Sequence, residues 1–117
     1  MHSVGIDIIE IPRIERAIHR WGERFLQRVY TPPELELYRH RTASLAARFA
    51  AKEAVMKALG RAVPWREVEV TRGPRGRPQL RLLGQAQARA QELGLELEVS
   101  LSHSRELAVA SVVGNSR

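Results

Sequence analysis

Up to Gly60 the apolar residues of this chain recur mostly at three- and four-residue intervals, and beyond it mostly at every second position. Side chains return to one face every 3.6 residues on a helix and every two on a strand, so the chain must build helices early, strands late, and pack one set on the other. Ahead of the helical block, Val4, Ile6 and Ile8 alternate with Gly5 and Asp7, which predicts a strand. Pro12 suits a first helical turn, and Ile11, Ile14, Ile18, Trp21 and Phe25 at 3-4-3-4 spacing predict one helix with these residues on its core face. Thr31-Pro-Pro-Glu34 has the form of a capping box, starting a short helix through Leu35 and Tyr38. An alanine-rich helix is expected from about Thr42 to Leu59, ended by Gly60 in the left-handed conformation. Val68 and Val70, then Leu80 and Leu82, alternate with polar residues on either side of a turn-rich Arg72–Pro78 connection, which predicts a hairpin. Gln85–Leu93 reads as a helix stopped by Gly94. Leu95, Leu97, Val99 and Leu101 then alternate up to a turn at Ser102–Arg105, and a last strand runs from Leu107 to Val113. The expected class is α+β: a single small domain over 1–117 with a largely antiparallel sheet, because short connections favour antiparallel pairing.

At 117 residues the chain fits one core, small enough to gain from oligomerisation. With 44% hydrophobic and 27% charged residues it is globular rather than disordered. No apolar run approaches the ~20 residues that span a bilayer. The first residues, Met-His-Ser-Val-Gly-Ile-Asp, lack the charged and apolar regions of a secretion signal, and the absence of cysteine removes disulfides and thiolate metal sites. The cytoplasm is the expected location. A net charge of +6 and a pI near 11.0 predict an anionic partner: nucleic acid, a phosphorylated small molecule, a membrane surface or an acidic protein.

Of 19 Lys plus Arg, only Lys52 and Lys57 are lysine, and they lie five residues apart. An ammonium is a compact point charge that can approach phosphate or pass a proton, which a guanidinium does poorly. Glu53 with Lys57 is also an ordinary i,i+4 helix pair. On a ~100° wheel Leu45, Phe49, Met56 and Leu59 share one face, alanines fill the far side, and Glu53 and Lys57 lie at the border. Asp7 stands among isoleucines in a strand, where a carboxylate needs a counter-charge or a metal. Asp7 and Glu53 converging would suit a hard cation such as Mg²⁺; the alternative is that Asp7 caps a neighbouring element while Glu53 pairs with Lys57. His103 ends a strand at a turn, a place for functional and for merely exposed histidines alike. Arg13, Arg16, Arg20 and Arg24 form a narrow stripe on the first helix, fitted to an anionic groove, an acidic partner helix or plain solvation.

Val4-Gly-Ile-Asp7-Ile-Ile-Glu-Ile11 with Arg13-Ile14, Arg48-Phe-Ala-Ala-Lys52-Glu53-Ala with Lys57-Ala-Leu-Gly60, and Val99-Ser-Leu-Ser-His103-Ser together resemble the three signature blocks of the holo-acyl-carrier-protein synthases, small bacterial 4′-phosphopantetheinyl transferases. The resemblance implies transfer of the 4′-phosphopantetheine arm of coenzyme A to a serine of apo acyl carrier protein in fatty acid biosynthesis, leaving adenosine 3′,5′-bisphosphate. By the same resemblance Asp7 and Glu53 match Mg²⁺ ligands. Glu53, or a metal-bound water that it orients, matches the group taking the serine proton, and Lys57 the lysine near the phosphates. His103, Arg48, Phe49 and the Gly76-Arg77-Pro78 turn would line the nucleotide end of coenzyme A, and Arg13 with Arg16, Arg20 and Arg24 would face the acidic carrier protein. A homotrimer with sites at subunit interfaces is also implied.

The family usually follows its helix with Gly-Thr-Gly, whose backbone donors can approach phosphate, whereas this chain reads Gly60-Arg61-Ala62-Val63. Arg61 would supply by side chain what that loop loses. A small basic nucleic-acid-binding protein is the competing class, but Asp7 and Glu53 argue against it. So does the 5% aromatic content, too low for the stacking platforms of single-strand binders.

Overall fold

The computed structural model describes residues 2–117. A first strand, β1 (His2–Glu10), leads into α1 (Ile11–Trp21), α2 (Glu23–Val29), α3 (Pro32–Tyr38) and the long α4 (Thr42–Leu59). A 3₁₀ turn at Trp65–Glu67 precedes the hairpin β2 (Val68–Arg72) and β3 (Pro78–Leu82). The chain continues through α5 (Gly84–Leu93), β4 (Leu95–His103) and β5 (Leu107–Ser116). The strands form two antiparallel sheets rather than one: β1-β5-β4 and β2-β3. The last strand runs three residues beyond the expected Val113, because Gly114 and Asn115 still pair with Ser3 and His2, and Ser116 with Leu95.

The predicted first helix is two. Gly22, at φ 57°, adopts a backbone conformation that few other residues tolerate, and its N–H still caps α1 through the Ile18 carbonyl. The break turns Trp21 out of the core, 51% exposed, and carries Arg24 onto α2, so the arginine stripe on α1 is Arg13, Arg16 and Arg20 alone. The capping box forms as read: Thr31 N–H donates to Glu34 Oε1 at 2.8 Å, and Glu34 N–H to Thr31 Oγ1 at 3.4 Å.

In α4 the alanines are not on a far side. Ala46, Ala47, Ala50, Ala51, Ala54 and Ala58 are buried with Leu45 and Leu59, whereas Phe49 and Met56 are half-buried. The helix lies against β1 and β5, and its methyl-sized side chains let it come close. A Cβ on Gly5 would fall 1.9 Å from the Ala54 carbonyl oxygen, and Ser3 Oγ donates to the Ala58 carbonyl at 2.5 Å. Gly5, Asp7 and Ile9 therefore face the helix, while Val4, Ile6 and Ile8 are 65, 61 and 61% exposed on the opposite face of the sheet.

Candidate active site

The close β1–α4 contact brings Asp7 under the C-terminal half of the long helix. Lys57 Nζ donates to Asp7 Oδ1 at 3.1 Å and to the Ile6 carbonyl at 2.9 Å. The Asp7 side chain is 18% exposed and that of Lys57 55%, so the pair sits at the floor of an open surface. Glu53 precedes Lys57 by one turn on the same helix face, is half-buried, and has no hydrogen-bond or ion-pair partner among the described residues. The local Glu53–Lys57 pair that the spacing allows is not formed, because Lys57 turns to Asp7 instead.

This oxygen donor set fits Mg²⁺, which takes one or two carboxylates and completes its shell with water and phosphate oxygens. Among the described residues no three His, Cys, Asp or Glu side chains cluster into a protein-only cage. A cation held here by Asp7 and Glu53 would therefore need ligand oxygens.

At the end of α4, Gly60 is left-handed at φ 68°, its N–H donating to the Lys57 carbonyl at 3.2 Å and that of Arg61 to the Met56 carbonyl at 3.1 Å. Both of these backbone donors are used to cap the helix, and the Arg61 side chain is exposed beside them. The Arg89 guanidinium closes the same helix end, with Nε donating to the Leu59 carbonyl at 3.0 Å.

His103, exposed at the end of β4, keeps Nδ1 3.3 Å from the Ser104 carbonyl. It pairs across β5 with the row of Ala108 and Ile9, two rows from Asp7 and Ala110. Two strand spacings and a two-residue offset put its Cα roughly 12 Å from that of Asp7. Within one chain the two share a face and do not touch.

The remaining expected contacts are divided between two clefts. The Gly73–Pro78 turn, with Arg75 at φ 61° beside Gly76 at φ 74°, borders a cleft of about 720 Å³ against Leu97–Ser100 of β4. Phe49 is not there. It stacks on Trp65 at 4.8 Å in a second groove of about 550 Å³ with Trp21, Arg24, Phe25 and Arg28. Arg48, expected on the nucleotide, is turned into the core. Its Nε donates to the Val70 carbonyl at 3.2 Å, its Nη2 to Tyr38 Oη at 2.8 Å, and its guanidinium lies 3.9 Å over the Tyr38 ring. Burial lowers its pKa. Arg13, Arg16 and Arg20 are exposed, Arg20 stacking 5.0 Å over Trp21.

Sequence reasoning missed the buried pair of Glu34 and Lys52, both 0% exposed and 2.9 Å apart. The confinement of lysine to two positions marks Lys52, but the sequence pattern offers Glu34 only as a cap.

Residues 3–111 match the sequence model of the 4′-phosphopantetheinyl transferase superfamily, and the chain belongs to that family. A protein named holo-[acyl-carrier-protein] synthase from Herpetosiphon aurantiacus is 52% identical over 97% of this chain and 98% of its own length. Another of that name from Dehalococcoides mccartyi is 54% identical over the same shares. Among solved structures, the Helicobacter pylori holo-[acyl-carrier-protein] synthase in complex with coenzyme A superposes with a TM-score of 0.86 at 31% identity, covering 96% of this chain and 99% of that one.

Proposed function

We propose that this protein transfers the 4′-phosphopantetheine arm of coenzyme A to a serine of apo acyl carrier protein, within fatty acid biosynthesis in the cytoplasm, with 1–117 acting as one domain. The observation that supports the chemistry is the Asp7–Lys57 ion pair where β1 meets α4, with Glu53 one helical turn before Lys57. The reaction forms a bond from the serine oxygen to the phosphorus that carries the pantetheine arm and breaks that phosphorus–oxygen bond of the pyrophosphate, releasing adenosine 3′,5′-bisphosphate. Mg²⁺ held by Asp7 and Glu53 would supply neutralisation of pyrophosphate charge.

Glu53, or a water that it orients, is the group that would take the serine proton. Lys57, held beside Asp7 and still more than half exposed, can swing to the departing phosphate as a point charge or proton donor. Arg61 and the Gly76–Pro78 turn serve the nucleotide and its phosphates, and the α1 arginines serve the acidic carrier protein. His103, about 12 Å from Asp7 within the chain, reaches the nucleotide of a site completed by a neighbouring subunit. The exposed Val4, Ile6 and Ile8 face, continued by the 41% exposed Val113, supports assembly through this sheet into a homotrimer with sites at subunit interfaces.

The test is mass spectrometry of apo acyl carrier protein incubated with this protein, coenzyme A and Mg²⁺. The expected result is a mass gain of one phosphopantetheine arm, lost by about 100-fold or more in Asp7→Asn and Glu53→Gln with unchanged melting curves. No gain with wild type overturns the activity; undiminished gain in both variants overturns the site.

A further inference from the structure

β2 is an edge strand, paired only with β3, yet the edge it turns away from β3 carries no unsatisfied backbone group at Val68 or Val70. The N–H of Val68 donates to the Trp65 carbonyl. The Val68 carbonyl accepts from Lys52 Nζ, which also donates to the Trp65 carbonyl at 3.1 Å. The N–H of Val70 donates to Glu34 Oε2 at 2.7 Å, and its carbonyl accepts from Arg48 Nε. Side chains from α3 and α4 thus take the place that a further strand would occupy. Glu34 and Lys52 join the two halves of this arrangement through their own 2.9 Å bond, and Arg48 is anchored at its far end on Tyr38.

We infer that Glu34, Lys52 and Arg48 are positioning residues, a side-chain clamp that fixes the β2–β3 hairpin against α4 and so sets where the Gly73–Pro78 turn stands relative to Glu53 and Lys57. The geometry supports this over simple core filling. A core filled by apolar side chains would be cheaper than a buried ion pair, whose desolvation is large. The charges instead make directional bonds to three backbone groups of one short strand segment. Glu53 follows Lys52 directly, and Lys57 follows one turn later, so the helix segment gripped by the clamp is the one that bears the site. The link from clamp to hairpin rests on the structure alone. Its link to coenzyme A rests on the function proposed above.

Glu34→Gln combined with Lys52→Met tests the clamp, since both side chains are fully buried and cannot touch a ligand. This pair removes the charges together and keeps an amide oxygen for Val70 N–H. Amide hydrogen exchange at Val68–Val70 and Leu80–Leu82 should accelerate by about tenfold or more relative to the β1–β5 amides. In the transfer assay KM for coenzyme A should rise by about tenfold, with KM for apo acyl carrier protein unchanged, a split that loss of global stability would not produce. If this variant does not fold, Arg48→Lys is read in the same way, because a single ammonium cannot reach Val70 and Tyr38 in the fork geometry. Hairpin exchange that stays at the wild-type rate, or that rises equally in every strand, overturns the clamp. Faster hairpin exchange with unchanged KM for coenzyme A overturns its link to the nucleotide. An inactive wild type would count against the proposed function, while exchange would still decide the clamp.

Discussion

Gly5→Ala tests the claim that close backbone contact builds the site. The new Cβ would lie 1.9 Å from the Ala54 carbonyl oxygen, 2.9 Å from its carbonyl carbon and 3.0 Å from Ala58 N. These are helix backbone atoms and cannot rotate aside. To restore even 3.0 Å, β1 and α4 must part by about 1.1 Å. Overpacking of this kind costs about 1–3 kcal/mol, and the upper end applies where no side chain can yield. At roughly 4 °C per kcal/mol for a chain of this length, the Tm should fall by about 12 °C. The same displacement carries Asp7 away from Lys57, stretching a 3.1 Å bond beyond hydrogen-bonding range. A misplacement of about 1 Å at reacting groups can lower turnover by up to about 100-fold, so transfer measured well below the new Tm should fall by tenfold or more. Gly22→Ala is the control. Its φ of 57° with ψ of −135° strains any other residue, but nothing lies within 4 Å of the added methyl, so it should cost about 1–3 kcal/mol and leave transfer nearly intact. The reasoning fails if Gly5→Ala melts within about 2 °C of wild type with unchanged turnover.

Lys57→Arg should not recover the activity lost in Lys57→Ala, because a planar fork cannot replace a point charge beside Asp7; full activity in the arginine variant would make the ammonium incidental. Alkaline denaturation should expose Tyr30, whose hydroxyl donates to the Leu45 carbonyl at 2.7 Å and whose pKa is pushed up from 10.0, chiefly by burial and then by the Glu34 charge. The folded protein holds that proton where the unfolded chain releases it, so the contribution is complete below pH 10 and is lost above it. Wild type should lose about 1.4 kcal/mol more per pH unit than Tyr30→Phe there, and parallel urea-derived stability curves above pH 10 would refute the assignment. Arg13→Ala with Arg20→Ala should raise KM for apo acyl carrier protein and spare that for coenzyme A, with a deficit that shrinks as salt rises; equal losses toward both substrates would remove the arginines from the carrier interface.

Most elements were legible because their signals are local: the capping box at Thr31, the left-handed ends at Gly60 and Gly94, and the two-residue period of the late strands. What escaped depends on partners distant in sequence. Alternation identified β1 but not which way it faces, and here Val4, Ile6 and Ile8 point outward while Gly5, Asp7 and Ile9 point to the helix. That inversion follows from the alanine face of α4, which leaves room only for a glycine at the contact, and no pattern within either segment announces it. The Gly22 break was hidden because the 3-4-3-4 spacing continues through it.

The two lysines carry opposite lessons from one compositional signal. Lys52 Nζ meets three acceptors, Glu34 Oε1 and the carbonyls of Trp65 and Val68, in a fully buried space. An ammonium has three donors on one atom and suits this convergence; a planar guanidinium spreads its five donors too widely to fill it. Burial pushes the Lys52 pKa down, and the Glu34 carboxylate opposes that shift. Lys57 is the other ammonium, more than half exposed, and its donors meet Asp7 Oδ1 and the Ile6 carbonyl. In a chain that writes its other positive charges as arginine, both lysines thus stand where donors converge from one atom, Lys52 on Glu34 and two backbone carbonyls and Lys57 on Asp7 and the Ile6 carbonyl.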